Sequence, residues 1–223
     1  REGAKPPAHP HHHGHSVNWV LVVDHLEAWD ADGSTGLGWE VQGWLGTDEH
    51  RAWLRSAGER EGGHTEAADV ELLYGRPVSP WWDLVAGVRQ ETRPGPSRTW
   101  AAFGVMGMAP YKFEVEATAY VGEGGRVAAG MEAEYDVLLT NRLILQPVVE
   151  LSWHGQDDTA RGIASGFDSV EAGLRLRYEF TRRFAPYIGV VHERALGDTA
   201  DLRRAEGEHV EDTRVVAGVR FWF

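Results

Sequence analysis

The first sixteen residues contain a loose cluster of histidines, whose imidazole nitrogens are common ligands of transition metals near neutral pH. The cluster consists of His9, His11, His12, His13 and His15. Its irregular spacing allows several coordination geometries, and imidazole suits Cu(II). The stretch is also rich in Pro and has too few apolar residues to form a core, so we expect residues 1–16 to be a disordered His-rich tail. The alternative interpretation is a solvated linker without a metal-binding role.

Four side chains in the rest of the chain are further candidates for metal binding. They are Met106, Met108, His25 and His154. Thioether sulfur is a soft ligand for Cu(I), and imidazole binds several transition metals. His25 has Glu27 on the same strand face, and His154 has Glu150, so these are the pairs to examine. Isolated Met residues more often fill gaps in packing, and isolated histidines are more often hydrogen-bonded or solvated than metal-bound.

Carboxylates recur at every second residue in much of the chain, so that they share one face of each stretch. We expect this face to line an interior, formed by Glu27, Glu40, Glu59, Asp83, Glu114, Glu116, Glu132, Glu134, Asp136, Glu150, Glu171 and Glu179 with Arg89, Arg175, Arg177 and Arg220. Because carboxylates outnumber arginines there, the interior should attract cations. The competing interpretation is that Arg–carboxylate forks fill a narrow interior with paired charge. We expect both: a largely charge-paired interior with an acidic excess.

The elements that position these residues are β-strands, most clearly between residues 112 and 154. Phe113, Val115, Ala117, Ala119 and Val121 alternate with Glu114, Glu116, Thr118 and Tyr120. Two similar runs follow, over residues 127–139 and 143–154. A period of two sends alternate side chains to opposite faces, so these are three strands of an antiparallel meander. Comparable runs elsewhere give about twelve strands, an even number as in single-chain bacterial barrels.

The strand lengths favour a membrane-spanning barrel over a soluble sheet. The runs span roughly 10 to 14 residues, whereas soluble strands usually have about 5–6 and tilted membrane strands about 9–11. Aromatic residues gather near the run ends, as in interfacial girdles, and the chain ends in an alternating strand that closes on Phe223. We therefore predict an all-β fold for residues 17–223, a transmembrane antiparallel up-and-down β-barrel with short periplasmic turns and longer extracellular loops. A soluble β-sandwich or lipocalin-like barrel is the alternative.

Three places depart from regular alternation. In the first strand, one frame points Asp24 at lipid and the other points His25 and Glu27 at lipid. A charged side chain facing lipid is costly, so we expect a bulge or a short membrane exposure there. Pro147 lacks a ladder donor in the middle of a run, which predicts a local bulge. The phase of residues 185–196 stays open.

The composition excludes several classes of function. The net charge of −12 and the pI near 5.3 argue against nucleic acid as a partner. The absence of Cys excludes a disulfide framework, a thiolate metal site and a Cys nucleophile. A barrel hydrolase would need a nucleophile beside a base, and Ser152 and His154 share a strand face without an identifiable third partner or oxyanion device. We therefore do not expect an enzyme.

Several long segments of the sequence are similar to those of a known protein family. They are Trp81-Trp82-Asp83-Leu84, Ala109-Pro110-Tyr111-Lys112-Phe113-Glu114-Val115-Glu116 and Leu139-Thr140-Asn141-Arg142-Leu143-Ile144-Leu145-Gln146-Pro147. Over residues 17–223 the chain resembles the copper resistance protein B family. The resemblance implies a barrel in the outer membrane of a Gram-negative bacterium, with lipid, copper ions and periplasmic copper-handling proteins as partners and a role in copper homeostasis. The alternative is a narrow general-solute porin, which the crowded interior disfavours.

Overall fold

The computed structural model describes residues 17–31 and 33–223, and this part of the chain contains thirteen β-strands and one α-helix. The strands are β1 (Asn18–Ala31), β2 (Ser34–Gly46), β3 (Arg51–Glu61), β4 (His64–Ser79), β5 (Trp82–Arg93), β6 (Arg98–Ala109), β7 (Phe113–Gly122), β8 (Val127–Glu134), β9 (Val137–Leu138), β10 (Leu143–His154), β11 (Gly166–Tyr178), β12 (Phe184–Ala195) and β13 (Glu211–Trp222). The helix, α1, is Gly197–Glu206. The predicted tail, with its five histidines, lies outside the described residues.

The strands form one closed antiparallel barrel. Strands that follow each other in sequence pair around the ring, and β1 pairs with β13 to close it. β8 and β9 both pair with β10 and lie one after the other along it, so the barrel has twelve strand positions. In the described ranges closure pairs every strand on both sides except β9, which pairs with β10 alone, and a bilayer requires such a closed sheet. The predicted fold class and strand number are confirmed.

The gap between β8 and β9 lies opposite Pro147 of β10. Tyr135, in the gap, donates its backbone N–H to the carbonyl oxygen of Pro147 at 3.1 Å, and regular pairing resumes at Val137 and Leu145. The N–H and C=O of an extended residue point to the same side of a strand. Because the C=O of Pro147 faces the gap, an N–H at this position would face the gap too, and Pro147 has none. The irregularity predicted from Pro147 is present, and it appears in the neighbouring strand.

A bulge in β1 resolves the two conflicting frames of the first strand. The register of β1 with β2 shifts between Val23 and His25. On either side of the shift, Asp24 bonds to Arg220 and His25 bonds to Glu40, both inside the barrel. Because a bulge inserts one extra residue and breaks the alternation, neither Asp24 nor His25 has to face lipid.

The outer surface of the barrel is an apolar belt made by alternate residues of the strands. Its members include Leu54, Leu72, Phe103, Ile188 and Val215, which are between 56 % and 72 % exposed. A continuous apolar surface of this kind would be unfavourable in water. Contact with hydrocarbon removes it from water, at a gain of about 25 cal/mol for each Å². The outward direction of these side chains therefore fits a lipid-facing wall.

The two ends of the barrel differ in the lengths of their connections. The end at which β1 begins and β13 ends, here called the turn end, has only short connections, of residues 47–50, 80–81, 110–112, 139–142 and 179–183. At the opposite end, the loop end, two connections are long, residues 155–165 and 196–210. The predicted difference between short turns and longer loops thus rests on these two connections, because the other loop-end connections are tight turns.

The connection after β12 contains α1, which the alternation pattern does not predict. The helix ends at Gly207, whose φ of 79° is the left-handed conformation that glycine adopts readily at helix C-termini. Thr199 is 2 % exposed, and its hydroxyl accepts a hydrogen bond from the backbone N–H of Ala164 at 2.9 Å. Residues 155–165 and α1 are therefore joined to each other. Within the described ranges, no helix has the length and apolar composition to cross a membrane.

Candidate functional site in the barrel lumen

The barrel encloses a cavity of about 400 Å³ whose lining is strongly acidic. The carboxylates that line it are Glu40, Asp69, Glu71, Glu116, Glu132, Glu150, Glu171 and Glu193, and the arginines are Arg55 and Arg89. Eight carboxylates therefore face two arginines. A cleft lined by charges of one sign raises the local concentration of ions of the opposite sign. This cavity is the candidate functional site, and cations are the ligands that its charge favours.

Five of these glutamates form a continuous row across five neighbouring strands, here called the glutamate row. Glu116 of β7 pairs with Glu132 of β8, which pairs in turn with Glu150 of β10. Glu150 pairs with Glu171 of β11, and Glu171 pairs with Glu193 of β12. Directly opposed residues have Cβ atoms about 4.5–5.5 Å apart, and like charges in this relation destabilise a sheet. A cation beside the row would relieve that repulsion.

The members of the glutamate row differ in whether an arginine balances them. Three have an arginine partner: Glu116 with Arg55, Glu171 with Arg214 at 3.5 Å, and Glu193 with Arg203 at 3.6 Å. Glu132 and Glu150, in the middle of the row, make no hydrogen bond or ion pair within residues 17–31 and 33–223. The middle of the row is therefore where carboxylates without a direct cation contact concentrate.

In other parts of the lumen, arginines form forks with carboxylates. Arg175 donates from Nε and Nη2 to the two oxygens of Glu27, both at 3.1 Å, and Tyr187 donates to Glu27 at 2.9 Å. Further pairs are Arg51–Asp83 at 2.7 Å, Arg89–Asp69 at 2.8 Å, Arg177–Asp136 at 2.7 Å, Arg220–Asp24 at 3.0 Å and Arg214–Glu59. Buried charges are tolerated when they are paired and hydrogen-bonded. Each of these carboxylates has an arginine in direct contact, whereas Glu132 and Glu150 in the middle of the glutamate row have none in the described ranges.

The lumen-lining residues predicted from alternation lie on the inner side of the barrel, with two of them at its margin. Asp136 lies in the gap between β8 and β9 and keeps 44 % of its side chain exposed. Glu179 follows the last residue of β11 at the turn end. Glu114 and Glu134 are directly opposed on β7 and β8, and Glu134 accepts a hydrogen bond from Gln146 at 2.6 Å.

The carboxylate partner of His25 is on a neighbouring strand and is not the predicted one. Nδ1 of His25 lies 2.8 Å from Oε2 of Glu40 on β2, whereas Glu27 binds Arg175. Residues two apart on one strand are separated by about 6.6 Å along it, while cross-strand neighbours are closer. In this structure His25 therefore contacts Glu40 and not Glu27, and a metal site of His25 with Glu27 stays a prediction.

Asp168, and not Glu150, is the hydrogen-bond partner of His154, and a metal site of His154 with Glu150 stays a prediction. Nδ1 of His154 lies 2.9 Å from Oδ1 of Asp168, and the hydroxyl of Ser152 donates to Oδ2 of Asp168 at 2.7 Å. One carboxylate thus binds both side chains, and the Ser152 hydroxyl is bonded to Asp168 and to Ser169. A serine nucleophile needs its hydroxyl hydrogen-bonded to the base. This arrangement does not supply that contact.

Both candidate methionines lie on the inner face of β6, beside the acidic residues. Met106 is directly opposed to Glu116, the first member of the glutamate row, and its Sδ lies 3.2 Å from Nη2 of Arg55. Met108 is directly opposed to Glu114. Two thioether sulfurs therefore adjoin the carboxylates, and that of Met106 is in contact with an arginine.

The described ranges contain no group of three or more His, Cys, Asp or Glu side chains arranged to hold a metal ion. The candidate ligands in the barrel are instead distributed along the lumen as single side chains and pairs. Such a distribution can attract and pass a cation without enclosing it in a complete coordination shell.

Besides Asp24 at the bulge of β1, alternation misses two carboxylates that reach the lumen. Asp168 is the extra residue of a bulge, since its neighbours on β11 pair regularly with Ser152 and Trp153, and a bulge has no signal in a pattern of period two. Glu193 lies on β12, whose phase the sequence leaves open. The structure settles that phase, because Tyr187 and Val191 are buried.

Comparisons with known proteins identify relatives over almost the whole chain. The family model described as Copper resistance protein B precursor matches residues 17–223. Over 211 residues the chain is 50 % identical to Copper resistance protein B of Escherichia coli, covering 95 % of this chain and 71 % of that protein. Identity is also 50 % to the Copper resistance protein B homolog of Pseudomonas syringae pv. tomato, over 95 % of this chain and 72 % of the relative.

A solved structure, the NanC porin, has a similar fold. It superimposes with a TM-score of 0.60 and covers 90 % of this chain and 98 % of its own, at 12 % identity. At that identity the likeness concerns the fold alone. The closed barrel, its apolar belt and its relatives place the protein in the outer membrane of a Gram-negative bacterium, as predicted. Matched by the family model over all but its first sixteen residues, the chain belongs to the copper resistance protein B family.

Proposed function

We propose that this barrel contributes to copper resistance by admitting copper ions into its acidic lumen, where they are held or passed across the outer membrane. The observation that supports the proposal is the opposed pair Glu132 and Glu150, two carboxylates that line the cavity without an arginine partner in the described ranges. Negative charge that no protein cation contacts directly attracts a mobile cation. Membership of the copper resistance protein B family supports copper as that cation.

Different donor types would have different tasks along the lumen. The carboxylates concentrate cations without discriminating strongly among them, because carboxylate oxygen also suits Ca²⁺ and Mg²⁺. Met106 and Met108 offer the sulfur that favours Cu(I), and His25 and His154 offer imidazole. The histidines of residues 1–16 would capture copper at the turn end, where the described chain begins. Periplasmic copper-handling proteins would then exchange copper with the barrel at that end.

Metal titration of the detergent-solubilised protein tests this function. Copper, zinc and calcium are titrated calorimetrically into the full chain and into a variant that lacks residues 1–16. We expect copper to bind more tightly than zinc or calcium in both forms, and the shortened form to lose only the sites of the tail. If neither form prefers copper to zinc and calcium, the proposed function is wrong.

A double variant assigns the binding to the lumen. Glu132→Gln with Glu150→Gln removes two charges from the middle of the glutamate row, and copper affinity should fall. The matched control is Glu49→Gln with Glu208→Gln, which removes the same charge from two exposed connections. Equal affinities of the two double variants would show that the lumen pair does not bind the metal.

A narrow general-solute porin is the second candidate, and the likeness to the NanC porin fold favours it. Bilayer recordings under a salt gradient distinguish the two functions. A copper pathway should select cations, and micromolar copper should reduce its conductance to other cations. A general porin would pass uncharged solutes at rates that copper does not change.

A further inference from the structure

The connection of residues 155–165 extends over part of the loop end of the barrel. It leaves the ring at β10, yet it binds to β5, which lies four strand positions away. Nη1 of Arg161 lies 2.9 Å from Oε2 of Glu91 on β5, and the same guanidinium donates to the carbonyl oxygens of Arg93 and Pro96 at 3.4 and 3.5 Å. Only 5 % of the Arg161 side chain is exposed. The connection is therefore anchored about a third of the way round the opening from the strand that it leaves.

A second anchor holds the same connection to β6 and to the turn between β7 and β8. Asp158, 9 % exposed, accepts hydrogen bonds from Nε and Nη2 of Arg98 at 3.1 and 3.2 Å. It also accepts one from Nη1 of Arg126 at 3.0 Å. Charge-assisted forks of this kind are among the stronger hydrogen-bonded contacts in proteins.

The Arg161–Glu91 anchor and the neighbouring helix α1 each contact residues of the inner wall. Glu91 also accepts a hydrogen bond from the indole N–H of Trp100 at 3.0 Å, and Trp100 is 4 % exposed on the inner side of β6. Alongside, Arg203 of α1 lies 3.6 Å from Glu193, which lines the acidic cavity. The side chain of Arg161 thus reaches a residue of the inner wall, and so does Arg203 of α1.

We propose that residues 155–165 form a lid over the loop end of the lumen and that rupture of the Arg161–Glu91 ion pair opens it. The contacts that hold the lid to β5 and β6 are charged, and charged contacts can exchange with water and ions, which gives a route to opening without loss of the barrel. Because the lid would control entry of any solute, this inference does not depend on copper being the cargo.

Two readouts from one set of variants test the lid. A nitroxide spin label on Ala160→Cys reports the motion of the connection, and the chain has no other Cys to be labelled. Planar-bilayer conductance in KCl reports access to the lumen. Arg161→Gln should mobilise the label and raise the conductance. The expected increase is roughly tenfold, because loss of one charged hydrogen bond of moderate strength changes the ratio of open to closed lids by about that factor. Arg142→Gln, an exposed arginine at the turn end, is the matched control and should change neither.

A charge exchange provides the second test. Arg161→Glu and Glu91→Arg should each mobilise the label and raise conductance, and the two together should restore both toward the parent values. If the label is released while conductance stays at the parent value, the connection does not close the lumen. If the label keeps its parent mobility in the folded Arg161→Gln variant, the ion pair does not hold the lid. Either result overturns the inference.

Discussion

Glu132 of β8 and Glu150 of β10 stand directly opposite each other across a strand pair, and both carboxylates face the cavity. Like charges in this relation cost a sheet about 0.2–1 kcal/mol. Natural proteins tolerate local conflicts of this kind mainly where function needs them. The opposed pair therefore lowers the stability of the metal-free barrel at the place where its charge favours a cation.

Removing one charge of this pair should stabilise the metal-free barrel. For Glu132→Gln we expect a free energy of unfolding higher by about 0.2–1 kcal/mol, because one repulsion is lost and no partner is broken. Urea unfolding in detergent at pH 8 with a chelator measures the change. Glu116→Gln is the contrasting variant, because Glu116 pairs with Arg55, and it should destabilise. A loss of stability in Glu132→Gln would contradict the prediction.

The Arg175–Glu27 fork should contribute strongly to the stability of the barrel. Both side chains are about 5 % exposed, so Arg175→Gln leaves a buried carboxylate without its cation, at a cost of about 3–5 kcal/mol. Arg182→Gln is the control, because its ion pair with Glu179 is at the surface and its side chain is 80 % exposed. Denaturant midpoints compare the two variants, which should differ widely. Similar midpoints would show that the fork is dispensable.

Gly36 is a position where only a hydrogen atom fits. A Cβ there would overlap the indole of Trp29, which binds Glu61 and stacks with Arg214. Overpacking of this kind costs about 1–3 kcal/mol, so we expect Gly36→Ala to lower the unfolding free energy by that amount. Gly130→Ala is the control, because the nearest atom to its Cβ would be 4.0 Å away. Circular dichroism during thermal unfolding should show a lower midpoint for Gly36→Ala alone.

Met106 should contribute to copper affinity more than to stability. Exchange of Met for Leu conserves volume and usually costs less than about 1.5 kcal/mol, but it removes a sulfur donor that suits Cu(I). We expect Met106→Leu to weaken Cu(I) binding and leave calcium binding unchanged, as measured by competition with a chromogenic chelator. Met131→Leu is the matched control, because Met131 is on the outer surface and 49 % exposed. If both variants bind Cu(I) like the parent, Met106 is not a ligand.

Acid should loosen residues 155–165 through Asp157. The backbone N–H of Ser165 donates to this carboxylate at 2.7 Å, which holds the pKa of Asp157 below its ordinary value of 3.8. A carboxyl group whose pKa is lower in the folded protein than in the unfolded chain stabilises the fold while it is ionised. This stabilisation is complete above the ordinary pKa and is lost as the pH falls through the lower pKa of the folded state. The spin label on Ala160→Cys should therefore gain mobility below about pH 4.

Asp157→Asn keeps an acceptor oxygen at this position but does not titrate. The difference between its pH profile and that of the parent separates Asp157 from Asp158 and Glu91, whose carboxylates also anchor the connection. Coinciding profiles would show that Asp157 does not contribute.

Alternation alone was sufficient to predict the barrel and the direction of most side chains. The side chains of Phe103 and Leu72 point outward and those of Glu71 and Trp100 inward, because a strand has a strict period of two and each face meets one environment. The same rule explains the failures. A bulge adds one residue without a local signature, so the inward directions of Asp24 and Asp168 could not be read from the pattern.

What the sequence by itself determined is which face of each strand is apolar, how many strands there are and that acidic residues exceed basic ones inside. Only the tertiary structure decided which charges meet. Glu27 and Arg175 are 148 residues apart in sequence and Arg161 and Glu91 are 70 apart, yet each pair is in contact. Closing the ring brings together strands whose separation along the chain carries no information about contact. The unpaired glutamates and the anchored connection are consequences of that closure.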